Sequence, residues 1–210
     1  MSSIVSVNVG LPKEIQAGGQ TVETGIFKRP VTGPVVVRSL NLDGDRQADL
    51  KVHGGVDKAV YLYPSEHYPF WERELSCKLP EWGAFGENLT IQGILEDAIS
   101  VGDSIEIGTA VLQVTQPRLP CFKLAAKFQR DDIIKRFLDS RRTGFYARVI
   151  QEGSLEAGDA VTVRQRDPQR LSVHELTEIY AAKEPDRVQI ERVLSVQALS
   201  ASWRRHFLVL

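Results

Sequence analysis

The sequence predicts a mainly β domain over residues 1–166, rolled or closed into a barrel, followed by a small all-α module over residues 167–210. Three observations predict it. All 16 glycines lie at or before Gly158. Up to about Arg166 the chain reads as short β-branched segments punctuated by Gly, Pro and Asp. After Pro168 glycine disappears, residues 171–210 hold a single proline, Pro185, and helix-cap signals begin.

The expected strands run over residues 4–9, 21–27, 35–42, 59–63, 104–107, 111–115, 145–150 and 160–164. Several alternate, as Val111, Gln113 and Thr115 do against Leu112 and Val114. The pairs Gly44-Asp45, Gly102-Asp103 and Gly158-Asp159 supply turns between them. So many short strands favour a closed or rolled sheet, because a flat one leaves edges exposed. Two helices interrupt them. One follows Pro64 through Leu75. The other, over 131–140, carries Ile133, Ile134, Phe137 and Leu138 on one stripe and opens on Asp131-Asp132, which suits the positive end of a helix dipole. In the last segment Ser172 and Glu175 have capping-box spacing ahead of Leu176, Ile179 and Tyr180. Ile190, Val193, Leu194 and Gln197 form a second stripe, and Ser200 or Ser202 can cap a third helix holding Trp203 and Phe207. A piece this small sits near the lower limit for independent folding, so it is expected to dock on the barrel or on a second copy in a homodimer.

Composition narrows the function classes. The chain has 210 residues, 42% hydrophobic and 25% charged, which excludes disordered, collagen-like and coiled-coil classes. With 26 basic and 27 acidic residues the net charge is -1, giving no overall attraction to nucleic acid or acidic membranes. Residues 168–210 carry six Lys/Arg against five Asp/Glu, without a basic face for nucleic acid. The N-terminal residues lack the pattern of a signal peptide, and no apolar run approaches a membrane span. Two cysteines are too few for a disulfide framework, so a reducing, cytoplasmic setting is the expectation.

Four segments stand out chemically. Residues 43–58 hold seven charged side chains and His53, with Gly54-Gly55 able to let backbone N–H groups approach an anion. The stretch reads either as a solvated loop or as a binding loop that delivers His53, Asp57 and Lys58 to the mouth of the following strand. Gln116 to Leu124 brackets Arg118 between Pro117 and Pro120 and places Cys121 ahead of a helical Lys123-Leu124-Ala125-Ala126. There the dipole, Arg118 and Lys123 favour thiolate; a buried, inert cysteine is the competing reading. Cys77 has no such setting. Gly86-Glu87-Asn88-Leu89-Thr90 is a turn entering a short strand, and Arg141 to Arg148 sets arginines around a glycine turn. Each of these two fits a ligand site or ordinary structure. No P-loop, Rossmann fingerprint, paired Cys-x-x-Cys, zinc-type histidine pair or nucleophile elbow occurs.

Taken in order, the motifs Gly-Asp-x-Gln-Ala-Asp, His-Gly-Gly-x-Asp-Lys-Ala, Tyr-Pro-x-x-His-Tyr, Phe-Gly-Glu-Asn-Leu, Gln-Pro-Arg-x-Pro-Cys-x-Lys-Leu and Thr-Gly-Phe-Tyr-x-Arg-Val resemble the MOSC domain family. The family takes its name from the C-terminal domain of molybdenum cofactor sulfurases. The match is closer to its stand-alone bacterial YiiM-like branch, which carries a three-helix C-terminal module. The resemblance implies a MOSC-type β-barrel with a few short helices, binding a molybdenum-pterin dithiolene cofactor in a cleft. It makes Cys121 the protein ligand to molybdenum, a soft donor for a thiophilic metal. It gives Arg118, Lys123 and Arg148 the task of countering the charge of the cofactor phosphate and dithiolene. His53, Asp57, Asn88 and Thr90 then line the cleft, with Lys58 beside them. The implied activity is reduction of N-hydroxylated compounds, including hydroxylaminopurine-type base analogues, to amines in a detoxification role. His53 is the candidate proton donor, with Asp57 or water as alternatives. A separate redox protein would supply electrons, since the chain has no flavin or iron–sulfur motif. The alternative is a non-catalytic cofactor or sulfur carrier that uses Cys121.

Overall fold

The structure is a computed structural model that describes residues 1–17, 19–48 and 54–210. Its strands in chain order are β1 (Ser3–Val9), β2 (Lys13–Ala17), β3 (Gln20–Thr24), β4 (Arg29–Val31), β5 (Val35–Val37), β6 (Val60–Pro64), β7 (Leu89–Gln92), β8 (Ser104–Ile107), β9 (Ala110–Pro117), β10 (Phe145–Gln151), β11 (Gly153–Leu155) and β12 (Val161–Gln165). The helices are α1 (Tyr68–Leu75), α2 (Phe122–Phe128), α3 (Ile133–Asp139), α4 (Val173–Ala181), α5 (Arg187–Ser195) and α6 (Ala201–Phe207). None of the described helices is long and apolar enough to cross a membrane. The architecture is therefore β-rich, with a helical C-terminal region.

One sheet has the order β12-β8-β9-β10-β6-β7-β1-β4. Its pairs are antiparallel except β6 with β7. Separate two-stranded ribbons join β11 to β5 and β2 to β3. Backbone bonds also connect distant parts of the main sheet. Ile4 N–H donates to the Asp159 carbonyl at 2.9 Å and Val161 N–H to the Ser2 carbonyl at 2.9 Å. These bring β1 against the entrance of β12.

The period-2 alternation of β6 divides the protein into two apolar masses. Val60 and Leu62 face the main core with Ile4, Val7, Leu89, Ile105, Leu112 and Phe145. Tyr61 and Tyr63 face the opposite way, into an aromatic cluster completed by Trp71, Phe85 and Phe137. That cluster seats α1, α2 and α3 on the sheet. Trp71 and Phe137 stack with ring centroids 5.5 Å apart, and the Trp71 Nε1–H donates to the Tyr63 hydroxyl at 2.6 Å. Aromatic pairs of this kind add about 0.5–1.5 kcal/mol beyond area burial.

The C-terminal helices do not stand apart from the sheet. Val173, Leu176, Val193, Val196, Trp203 and Phe207 belong to the same apolar cluster as the strands. Backbone bonds reinforce the join, from Val101 N–H to Leu171 O and from Val173 N–H to Ile99 O, each at 2.9 Å. Ser172 caps α4 by accepting from Glu175 N–H at 3.0 Å. The Glu175 carboxylate, however, turns to Arg192 on α5, so only half of the anticipated capping box forms. The reciprocal box belongs to α5, between Asp186 and Gln189. Ser200, rather than Ser202, caps α6 through Trp203 N–H.

Candidate functional site

A cleft of about 650 Å³, partly open to solvent, lies between the aromatic cluster and the end of β3. Its floor comes from Tyr61 on β6 and Tyr146 on β10, and its far wall from Thr24 to Ile26. Cys121, Arg118 and Lys123 enter from the segment after β9. Pro117 ends that strand, and Cys121 is the extended N-cap residue of α2. The stiff Pro-Arg-Leu-Pro turn therefore holds Arg118 and Cys121 in one lining.

Arg118 is 5% exposed, and among the described residues its Nη1 meets no hydrogen-bond partner. Its guanidinium sits 5.0 Å from the Tyr61 ring centroid and 5.4 Å from that of Phe137. Burial opposes its charge, but Tyr61, Tyr146 and Cys121 outweigh burial and keep its pKa above the ordinary arginine value. A buried N–H without a partner costs roughly 1–3 kcal/mol, so an anion reaching the Arg118 side of the cleft gains that much back. Burial likewise pushes the Tyr146 hydroxyl pKa up, against the pull of Arg118, so that phenol keeps its proton at neutral pH.

Beneath the cleft the polar side chains hold one another. Asp45 accepts from Lys28 Nζ, from Gly10 N–H at 3.0 Å and from Asn88 Nδ2 at 2.9 Å. The Asn88 Oδ1 accepts from Tyr61 N–H at 3.1 Å. Burial lowers the Lys28 pKa, and the Asp45 carboxylate resists the shift. Glu87 is 0% exposed. It accepts from the Tyr68 hydroxyl, from Gly83 and Phe85 N–H at 2.9 and 3.0 Å, and from the Thr90 hydroxyl at 3.0 Å. Glu87 is thus the structural centre of the 83–90 turn. Gly86 makes that turn with φ +81, and a Cβ there would meet Ile26 Cγ1 at 2.7 Å. Gln47 staples the loop above, donating to the Lys58 carbonyl at 3.0 Å and accepting from Gly55 N–H at 2.7 Å.

The structure gathers Lys58, Asn88, Arg118, Cys121 and Lys123 around this one cleft. Lys123 Nζ also donates to the Glu23 carbonyl at 3.0 Å, tying α2 to the β2–β3 hairpin. Three expected residues lie elsewhere. Thr90 is buried behind the floor, between Asn8 Nδ2 at 3.0 Å and Glu87. Asp57 and Arg148 do not line the cleft. They pair at 2.8 Å, and Asp57 accepts from Ala201 N–H at 3.2 Å while Arg148 donates to the Ala198 carbonyl at 2.8 Å. The reason is strand geometry. Arg148 shares a face of β10 with Tyr146 but stands two residues further on, where α6 docks. Asp57→Ala should lower stability by about 1–3 kcal/mol and speed amide exchange at the start of α6, because it strands a half-buried guanidinium. Unchanged exchange in α6 would contradict this tether. His53 lies outside the described residues.

Sequence reasoning missed Lys28, Asp45, Tyr61 and Tyr146 as cleft residues. The Gly-Asp-x-Gln-Ala-Asp motif contained a signal for Asp45, but nothing local marks Lys28. It also missed Lys127, whose Nζ donates to Ile26 O at 2.9 Å and Gly83 O at 2.7 Å behind the wall. Burial lowers its pKa to about 8 from 10.5, with Glu87 pulling the other way. The unfolded chain keeps that proton up to the higher value and the folded chain releases it at the lower. The Lys127 contribution to stability therefore rises between pH 8 and 10.5 and is lost as pH falls through 8, by about 3 kcal/mol at 1.36 kcal/mol per unit. Denaturation curves of Lys127→Met should lack this rise; an identical pH dependence would refute the assignment.

Comparison with known proteins shows the family of the chain. A MOSC domain model matches residues 49–162, and a YiiM-like, 3-alpha helix domain model matches residues 171–208. The Bacillus subtilis (strain 168) protein YflK is 44% identical over 206 residues, covering 98% of this chain and 93% of that protein. A protein of Gibberella moniliformis (strain M3125 / FGSC 7600) named "Reductase" is 32% identical over 183 residues, covering 86% of this chain but only 32% of the larger protein. The crystal structure of YiiM from Geobacillus stearothermophilus superposes with a TM-score of 0.84 at 38% identity, covering 100% of this chain and 98% of that one. The chain therefore belongs to the MOSC domain family, in the form that carries a YiiM-like three-helix domain after the MOSC domain.

Proposed function

We propose that the chain is a molybdenum cofactor-dependent reductase that converts N-hydroxylated compounds of the hydroxylaminopurine type to amines. The β-rich region would act as a MOSC-type barrel, with residues 1–166 as the cofactor domain and 167–210 as the helical one. The observation that carries the reading is the buried Arg118, with an unpartnered Nη1, sharing a cleft with the Cys121 thiol. Family membership and the reductase-named relative support the same reaction class.

The residues fit the implied group. An anionic phosphate and dithiolene need cations, and Arg118, Lys123 and Lys58 line the cleft. A soft metal needs a soft donor, and Cys121 is a thiol rather than half of a disulfide. Arg118 would bind an anionic oxygen through Nη1, and Asn88 would hold the floor rigid through Tyr61 and Asp45. Arg148 and Thr90 would act at a distance, one through the docking of α6 and the other through Glu87.

Reduction of R–NH–OH to R–NH2 and water consumes two electrons and two protons and breaks the N–O bond. When bound, the cofactor would supply the two-electron, oxygen-accepting centre for that cleavage. A separate redox protein would deliver the electrons. His53 is proposed as the proton donor to the leaving hydroxyl. Asp57 is a poor candidate, since its carboxylate is committed to Arg148 and to the start of α6. The Tyr146 hydroxyl, held protonated, can orient the substrate by donating a hydrogen bond. A cytoplasmic location suits such a detoxifying role.

Protein made in a host that synthesises the cofactor should contain one molybdenum per chain and reduce 6-hydroxylaminopurine anaerobically with a chemical reductant. Metal without turnover would favour the carrier alternative. Absence of metal would refute the reductase and the cofactor carrier alike, and leave only a sulfur carrier that uses Cys121.

A further inference from the structure

A second hollow opens on the other side of Tyr146. It spans about 750 Å³, including space open to solvent, and shares Tyr146 and Lys58 with the Cys121 cleft. One wall comes from the C-terminal helices. Tyr180 on α4 and Trp203 on α6 have ring centroids 5.0 Å apart, and His206 lies 5.1 Å from Tyr180. The opposite wall carries Gln116, the residue before Pro117 on β9.

Gln116 is 3% exposed. Its Nε2 donates to the Pro117 carbonyl at 3.3 Å, while among the described residues its Oε1 has no partner. A buried acceptor left unpaired costs about 1–3 kcal/mol, and an occupant with an N–H group removes that cost. The aromatic wall favours a flat ring. Aromatic stacking of a base is worth about 1–3 kcal/mol. The described lining residues include no carboxylate, so nothing among them selects a cation.

We propose that this chamber is the ring-binding subsite for the substrate: a planar N-heteroaromatic stacks against Tyr180 and Trp203 and donates an N–H to Gln116 Oε1. The three C-terminal helices thereby supply the specificity wall, and Tyr146 marks the passage to the cleft. Asp57 and Arg148 then contribute indirectly, since they fix the start of α6 and with it Trp203. The identity of the ring rests on the reductase reading above; the chamber and its orphaned acceptor do not.

The test is direct binding of adenine, the amine product, to the purified full chain, read by tryptophan fluorescence. Adenine should quench saturably, and Trp203→Phe should remove most of the signal, leaving Trp71 and Trp82 unaffected. Gln116→Leu and Tyr180→Leu should each raise the Kd at least about tenfold. Cyclohexylamine, similar in size but not flat, should not bind. Tyr180 is only half-buried, so its variant remains informative even if Gln116→Leu folds poorly. No saturable binding of adenine, or an unchanged Kd in the folded Tyr180→Leu protein, would overturn the subsite. Binding that weakens as expected in a chain that reduces nothing would leave the subsite standing and refute only the reductase reading.

Discussion

Cys121→Ser is expected to remove molybdenum from the purified protein and abolish N-hydroxylamine reduction while leaving the fold intact. The two side chains differ little in size, and Cys121 is only half-buried at the N-cap of α2, where serine is itself a favoured residue. Stability should stay within about 0.5 kcal/mol of the parent, the usual range for such positions. The metal would sense the change far more. A serine hydroxyl is a hard, weakly acidic donor and a poor replacement for thiolate on a soft centre. Losing a group that only hydrogen-bonds to a metal's ligand already costs about 10–100-fold in metal affinity, so loss of the ligand atom should cost more than that. Elemental analysis beside a thermal melt decides it. Full molybdenum occupancy in a folded serine variant would end the ligand assignment.

Arg118→Met should have the second-largest effect, and by a different route. The substitution deletes a buried charge whose Nη1 is orphaned, so the cofactor-free fold should be little changed despite lost contact with Tyr61 and Phe137. A hydrogen bond to a charged group is worth about 1.5–3 kcal/mol, so retention of an anionic cofactor should fall roughly 10–150-fold. Arg118→Lys should recover only part of this, because an ammonium cannot reproduce the planar fork. Metal content after dialysis separates the three proteins. Equal retention in all of them would show that the orphaned guanidinium serves packing alone.

The legible parts of the sequence were those fixed by local pattern. Residues 104–107 form β8 over that same span because Ile105 and Ile107 alternate with polar neighbours and Gly102-Asp103 sets the turn. The stripe of Ile133 and Phe137 marked α3 for the same reason, periodicity matching burial. Of the β2–β3 hairpin, β3 overlaps the expected strand over 21–27, whereas β2 escaped notice because Ile15 and Ala17 are its only apolar residues. Its turn signal, the glycine pair at 18–19, passed unread. Without the β2–β3 pairing the expected strand over 21–27 had no place in the fold, although Thr24 at the end of β3 forms part of a cleft wall.

The site was legible in part for a related reason. Arg118, Cys121 and Lys123 are neighbours in sequence, so one stiff proline turn announces them together. Lys28 and Asp45 meet only through the tertiary fold, and no window of sequence shows a burial partner that far away. Asp57 and Arg148 are the reverse case. Their charge suggested a ligand, but they pair with each other and with the backbone at and just before the start of α6, about 140 residues downstream of Asp57.

The bonds between β1 and the approach to β12 carry a kinetic consequence. Ile4 and Asp159 are far apart in the chain, and their pairing is bought only after everything between them has been made. At roughly 5–20 residues per second on a ribosome, β1 waits on the order of 10–30 s for that neighbour. Throughout that interval the edge from Ser2 to Ile4 stands open, although Val7 to Val9 can already pair with β4. Contacts of such long sequence separation slow folding. Overproduction at high temperature should therefore direct this chain toward inclusion bodies through its first strand, however stable the finished protein is.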